Sequence, residues 1–172
     1  MTDTTYEVVL SRYFDAPPDL VYRAFLDAEQ LSQWYAPLAF HVPFDSVAVD
    51  PRVGGQWRLE MVSNFDPTQR HPVEITFTEV LSGRLLVGHE SARDIPGMAD
   101  GTLLTLSVEF IAEGDGTRLE LREGPMPEQM REMAAIGWSQ ALAKLAALLA
   151  TPARFRNSPG QDSTTESEED PS

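Results

Sequence analysis

Three histidines and a set of strand-borne glutamates are the groups in this sequence able to move a proton near neutral pH. Glu60, Glu74, Glu90, Glu109 and Glu120 lie in or beside stretches of strand character, mostly alternating with apolar neighbours. That alternation places them on a solvated sheet face. An acid turned inward instead would be desolvated, its pKa would rise, and it would become a candidate general acid or base. Arg122, near the end of the last strand, could pair with such an acid or with a ligand carboxylate. His41 follows a helix, His71 precedes Pro72, and His89 stands beside Glu90. None has a partner at metal-ligand spacing, and no HExxH pattern occurs. Each histidine therefore reads as a surface or satisfied residue. There is no nucleophile elbow, Walker loop or dinucleotide-binding glycine pattern. No catalytic residue, metal or cofactor is assigned.

The chain's 172 residues suit one domain, and a hydrophobic share of 42% is enough for one sizeable core. The absence of cysteine excludes disulfides, thiolate metal sites and thiol nucleophiles. Acids outnumber bases 27 to 13, giving a net charge of −14. That balance argues against a nucleic acid or an anionic membrane surface as partner, since both are bound through lysine and arginine. The start shows no secretory pattern and no run approaches the ~18 apolar residues of a membrane span, so a cytoplasmic location is expected. Residues 151–172 are rich in Pro, Ser, Thr and acid, with Phe155 the only large apolar side chain. This segment reads as a disordered acidic tail following a domain over residues 1–150.

Proton chemistry needs elements to hold it. Tyr6 to Phe14 alternates as a strand. Asp15 is placed to cap a helix over "PPDLVYRAFL", with Leu20/Ala24 and Val21/Phe25 as its apolar stripe. A second short helix starts at Asp27, with Gln30 three residues on, and stops before Pro37. The pattern then switches to period two. "FDSVAVDPRVGGQWRLEMVS" reads as a hairpin with Gly54-Gly55 as a two-residue turn, followed by strands in "PVEITFTEV", "RLLVGHE", "TLLTLSVEFI" and "TRLELRE". Tight turns between consecutive strands imply an antiparallel sheet.

The chain closes with "EMAAIGWSQALAKLAALLA". On a 3.6-residue period Met130, Ala134, Trp138, Ala141, Leu142, Leu145, Leu148 and Leu149 form one stripe, with Gln140 and Lys144 turned away. This amphipathicity argues against a membrane span. Gly137 costs the helix about 1 kcal/mol relative to alanine and would let a strand or an aromatic ring approach the helix backbone. The expected fold class is α+β: a curved antiparallel sheet of about six or seven strands, two short helices and one long helix across it.

The order of elements, together with "PPDLVYRAFLDAEQLSQWYAP", "DPRVGGQW", "GTRLELRE" and "GWSQALAKLAALL", resembles the START-like (helix-grip, SRPBCC) superfamily. The nearest branch is that of homologues of the activator of the heat-shock-protein-90 ATPase, over roughly residues 5 to 150. The resemblance implies an apolar cavity between the long helix and the sheet, of the kind that binds lipids, hormones or polyketides. A minority of such proteins catalyse cyclisation, hydrolysis or dehydration there, with no family-wide catalytic residues. It implies ligand-facing positions at Trp34, Trp57, Met61, Phe77 and Trp138, with Leu142 beside them on the helix. Trp138 is expected to border the cavity.

The leading functional expectation is therefore a protein holding a small hydrophobic or amphipathic molecule, with an internal cavity above ~300 Å³. A cavity enzyme would instead show an inward-pointing Glu or His with a perturbed pKa. A co-chaperone role rests on the branch's name alone, and homodimerisation is a further expectation without direct sequence support.

Overall fold

The computed structural model describes residues 5–151; the expected acidic tail lies almost wholly outside the described residues. The order is β1 (Tyr6–Phe14), α1 (Pro18–Leu26), α2 (Ala28–Trp34), β2 (Phe40–His41), β3 (Ala48–Val49), β4 (Gln56–Ser63), β5 (Arg70–Leu81), β6 (Leu85–Ser91), β7 (Leu103–Glu113), β8 (Gly116–Met126) and α3 (Glu128–Ala150). The sheet runs β1-β8-β7-β6-β5-β4-β2, with β3 pairing β4, and every pair is antiparallel. Six long strands carry it; β2 and β3 are two residues each.

Alternation decides which face is dry. Trp57 and Leu59 on β4, Val73, Ile75 and Phe77 on β5, and Leu104, Leu106, Val108 and Phe110 on β7 are all buried on the concave face. Leu119 and Leu121 on β8 complete it. The intervening positions are exposed and carry the ion pairs Arg58–Glu74, Arg70–Glu60 and Arg118–Glu113. Exposed pairs of this kind contribute about 0–1 kcal/mol each. Helices α1 and α2 cover the β7 side, where Phe25 and Tyr22 meet Phe110 edge-on at 5.3 and 5.4 Å.

Local chemistry at the helix ends matches expectation at one end and departs from it at another. Asp27 caps α2 by accepting a hydrogen bond from the Gln30 backbone N–H at 3.0 Å. Asp15 caps nothing: Pro17 is the N-cap of α1 and no side chain serves it. Pro18 at the first helical position has no N–H to satisfy, so the start tolerates this.

The glycine pair is not a two-residue turn. Asp50 N–H bonds Gln56 O, leaving five residues between the paired ends. Gly54 N–H donates to Phe77 O and Phe77 N–H donates to Gly55 O. The pair is drawn onto β5, which prolongs the β4–β5 pairing at the cost of a tight β3–β4 turn.

Helix α3 is less one-sided than its spacing suggests. Trp138, Ala141, Leu142 and Leu145 are buried, but no side chain from 128 to 137 is. Met133 is 71% exposed and Ile136 60%, so the first half is apolar on its outer side as well. By length and composition α3 would suffice to cross a bilayer; here its second half is packed into the core. Gln140 and Lys144, expected to face away, grip the segment after α2. Gln140 Oε1 accepts from Leu38 N–H at 3.0 Å, and Lys144 Nζ donates to Pro37 O at 3.3 Å.

That segment explains Gly137. A Cβ there would stand 3.2 Å from Pro37 Cγ, so the neighbour is a proline ring rather than a strand or an aromatic one. Pro37 packs on the helix backbone at the point where α3 passes from lightly covered to buried.

Candidate functional site

Two carboxyl groups stand on the otherwise apolar concave face. In β8 the period of two that buries Leu119 and Leu121 brings Glu123 to the same side. Register aligns Glu123 with Leu106 on β7 and Leu106 with Gly88 on β6, and Glu90 pairs Leu104 one step along. Glu90 and Glu123 are thus brought to one end of the concave face, where Trp138 of α3 reaches Glu123. Both are partly buried.

The surroundings of the pair are aromatic. Trp138 Nε1–H donates to Glu123 Oε2 at 3.1 Å. Tyr35, at the C-terminal end of α2, meets Trp138 edge-on at 5.4 Å and Trp57 at 5.0 Å. The hydroxyl of Tyr35 and the carboxyl of Glu90 make no hydrogen bond among the described residues. The Trp57 Nε1–H is fully buried and has no acceptor, although the residue is only 3% exposed. An unpaired buried donor costs about 1–3 kcal/mol.

The electrostatics follow from this enclosure. Burial, and secondarily the neighbouring Glu123, push Glu90 up to about 7. Burial also raises Glu123, against the lowering effect of the Trp138 hydrogen bond. Tyr35 rises well above the usual phenol range, first through burial and then through the two glutamates. No positive charge offsets the pair among the described residues. Arg122 points outward to Glu7 at 3.2 Å, so it pairs with neither inward acid. A carboxyl pushed up to about 7, as at Glu90, is able to give up or take a proton near neutral pH.

Beside the pair the interior is nearly closed. A void of about 10 Å³ lies among Phe25, Trp57, Phe77, Leu86, Gly88 and Leu106. That is room for about one water molecule, far from the ~300 Å³ expected for a ligand chamber. The side chains of the core fill the space because α1, α2 and the second half of α3 all press on the sheet. Gly88 helps to close it. A Cβ there would sit 2.9 Å from the Thr76 carbonyl oxygen and clash with Ile75 Cγ2. Gly88→Ala is expected to cost about 2 kcal/mol in urea unfolding; an unchanged midpoint would show that β5 yields freely. A groove of about 330 Å³ beside Asp50, Gln56 and Arg58 is larger but open to solvent.

The six sequence-derived ligand positions separate into groups. Trp57 and Phe77 line the void, and Trp138 joins the carboxyl pair. Trp34 and Leu142 are wholly within the core, and Met61 is partly buried against it. Of the five glutamates set on the solvated face, Glu74, Glu109 and Glu120 are exposed and Glu60 pairs with Arg70 at the surface. Glu90 is the exception, pointing inward. Glu123 was not singled out at all, yet "LELRE" carries the signal: two buried leucines fix the parity and the glutamate continues it. Two histidines are peripheral: His41 Nδ1 lies 2.7 Å from Asn64 Oδ1 at the surface, and the exposed His71 meets Phe40 edge-on. Among the described residues no group of three metal-ligating side chains occurs.

With sheet, helices and site in place, the sequence profile of the family described as "Activator of Hsp90 ATPase homolog 1-like protein" matches residues 15–150. The chain belongs to this family. Solved structures agree on the helix-grip architecture. Protein CV1439 from Chromobacterium violaceum superposes with a TM-score of 0.73 at 28% identity, over 84% of this chain and 97% of that one. The AHSA1 (SPO3351) protein from Silicibacter pomeroyi gives 0.71 at 26% identity, over 84% and 98%. A curated relative from Mesorhizobium japonicum, "7-cyano-7-deazaguanine synthase 1", is 31% identical over 109 residues, 62% of this chain. The match takes in only 47% of that protein's length, about half. Like the solved structures it superposes on, this member of the activator-homologue family has a long C-terminal helix, α3, and a curved antiparallel sheet.

Proposed function

We propose that this protein binds a small amphipathic molecule between α3 and the concave face of the sheet. Its polar end meets Glu90 and Glu123, and its apolar part lies toward Trp57 and Phe77. The observation that carries this reading is the pair of inward carboxyls on a face that is otherwise apolar, next to a void bordered by a tryptophan donor without an acceptor. Carboxyls in such a place cost stability, and a polar ligand group offsets that cost.

The closed interior requires an opening step. The first half of α3 contributes no fully buried side chain and ends at Gly137, where the helix backbone is least restrained by its own side chains. Lifting residues 128–137 frees the Trp138 indole to swing off Glu123 and open the way to the carboxyl pair, while Ala141, Leu142 and Leu145 hold the rest of the helix in place. A ligand at a hundred times its Kd raises stability by about 2.7 kcal/mol. A panel of amphipathic compounds is expected to yield members that raise the melting temperature and shift the tryptophan emission, since Trp57 and Trp138 both border the site. If no member of the panel moves either signal, the reading fails.

A second reading is acid–base catalysis in the same place, and one observation favours it: burial on an apolar face pushes the Glu90 carboxyl up to about 7. Mass spectrometry of a bound compound separates the two readings. Recovery of the compound unchanged supports binding, whereas a product lost in Glu90→Gln supports turnover.

A further inference from the structure

Four features converge at the carboxyl pair. Glu90 and Glu123 share one end of the concave face, and among the described residues no cation compensates them. The nearby bases are engaged elsewhere: Arg122 with Glu7, Arg131 with Glu128, and Lys144 with the Pro37 carbonyl. Tyr35 stands edge-on to both Trp57 and Trp138, and the faces of such rings attract a positive charge. Independently of the acids, the Trp57 Nε1–H lacks an acceptor although it is wholly buried. The whole chain, at −14, attracts cations and repels fatty-acid carboxylates and other anions.

We infer that the ligand is an amphipathic amine: a protonated nitrogen set against Glu90 and Glu123, with an oxygen nearby to accept the hydrogen bond from Trp57 Nε1. This rests on the proposed ligand-binding role and adds the chemical class of the head group. On binding, the ammonium takes the place of the proton that Glu90 holds in the empty site. That proton is released to solvent, and no covalent bond changes. Tyr35, the third titratable group facing the pair, offers its hydroxyl as a further donor or acceptor to the head group.

The test compares octylamine, 1-octanol and octanoate, which share one chain length and differ in charge, by calorimetry at pH 6.5. Octylamine is expected to bind at least about tenfold more tightly than 1-octanol, with octanoate weakest. Glu90→Gln and Glu123→Gln are each expected to remove most of that preference while changing 1-octanol binding less than about twofold. Titrations in phosphate and in PIPES, two buffers of different ionisation heat, are expected to differ by the heat of the released proton. 1-Amino-2-octanol is expected to exceed octylamine in the wild type but not in Trp57→Phe. Melting curves of each variant verify that it is folded. If 1-octanol or octanoate binds as well as octylamine, or if both glutamine variants retain the amine preference, the head-group assignment is overturned while amphipath binding stands. If none of the three compounds binds, both fall.

Discussion

Glu90→Gln is expected to make the protein more stable above pH 7 and to leave its stability unchanged below pH 4.5. The native carboxyl holds its proton up to about pH 7, whereas the unfolded chain releases it near 4.5. Between those values the folded state binds more protons than the unfolded one, so stability falls as pH rises. The contribution is full below the unfolded pKa and lost as pH passes the folded one. A shift of this size corresponds to roughly 3 kcal/mol. Glutamine carries no charge at any pH and avoids the loss. Urea unfolding across pH 4 to 9 should show the variant's curve diverging from the wild type's, with Glu109→Gln on the exposed face as control. Parallel curves would mean that Glu90 is solvated in the folded protein. Glu123, also raised, will leave some slope in the variant. Such a cost at the proposed binding site fits the usual exchange of stability for function.

The second large effect falls on Trp34. The residue is 0% exposed, packs edge-on against Phe25 at 4.6 Å and donates its Nε1–H to Ala24 O at 2.9 Å. It pins α2 to α1, and through Phe25 to the sheet. Trp34→Ala should cost about 4 kcal/mol for the cavity, and more for the carbonyl left without its donor. Against a total stability of about 5–15 kcal/mol for a domain this size, the variant is expected to be marginal or unfolded at 37 °C. Trp34→Phe keeps the ring and loses the hydrogen bond, and should cost about 2 kcal/mol. Far-UV circular dichroism in urea measures both. A Trp34→Ala protein that keeps its midpoint but loses amphipath binding would return this residue to the ligand site.

Much of the architecture was legible because it is written in local periods. The alternation in "TLSVEF" and "ITF" fixes which side chains face inward, and turn residues between strands enforce antiparallel pairing. Asp27 and Gln30 are three residues apart, within reach of a backbone cap, and the cap forms. The candidate site was legible only in part. Leu85-Leu86 are both apolar, so the parity of β6 is ambiguous, and a register shift between Phe77 and Glu79 on the neighbouring strand removes an outside reference. Sequence alone therefore groups Glu90 with the other strand acids on the wet face. Glu123 was readable from "LELRE" by continuing the leucine parity through the strand's end.

Distance in sequence limits the remainder. Gly88, Leu106 and Glu123 form one row although each comes from a different strand, and no local pattern joins them. Pro37 meets Gly137 across a hundred residues, and the sequence shows only that a glycine interrupts a helix. By itself, the sequence determined the order of elements, the dry face of the sheet, the acidic balance and the family resemblance. Each of these depends on composition or on spacings of a few residues. The tertiary structure alone decided that the interior is closed to about 10 Å³, that Trp34 is core, and that two carboxyls meet under α3. Those outcomes depend on how closely helices settle on a twisted sheet, and that is set by packing among side chains remote from one another in the chain.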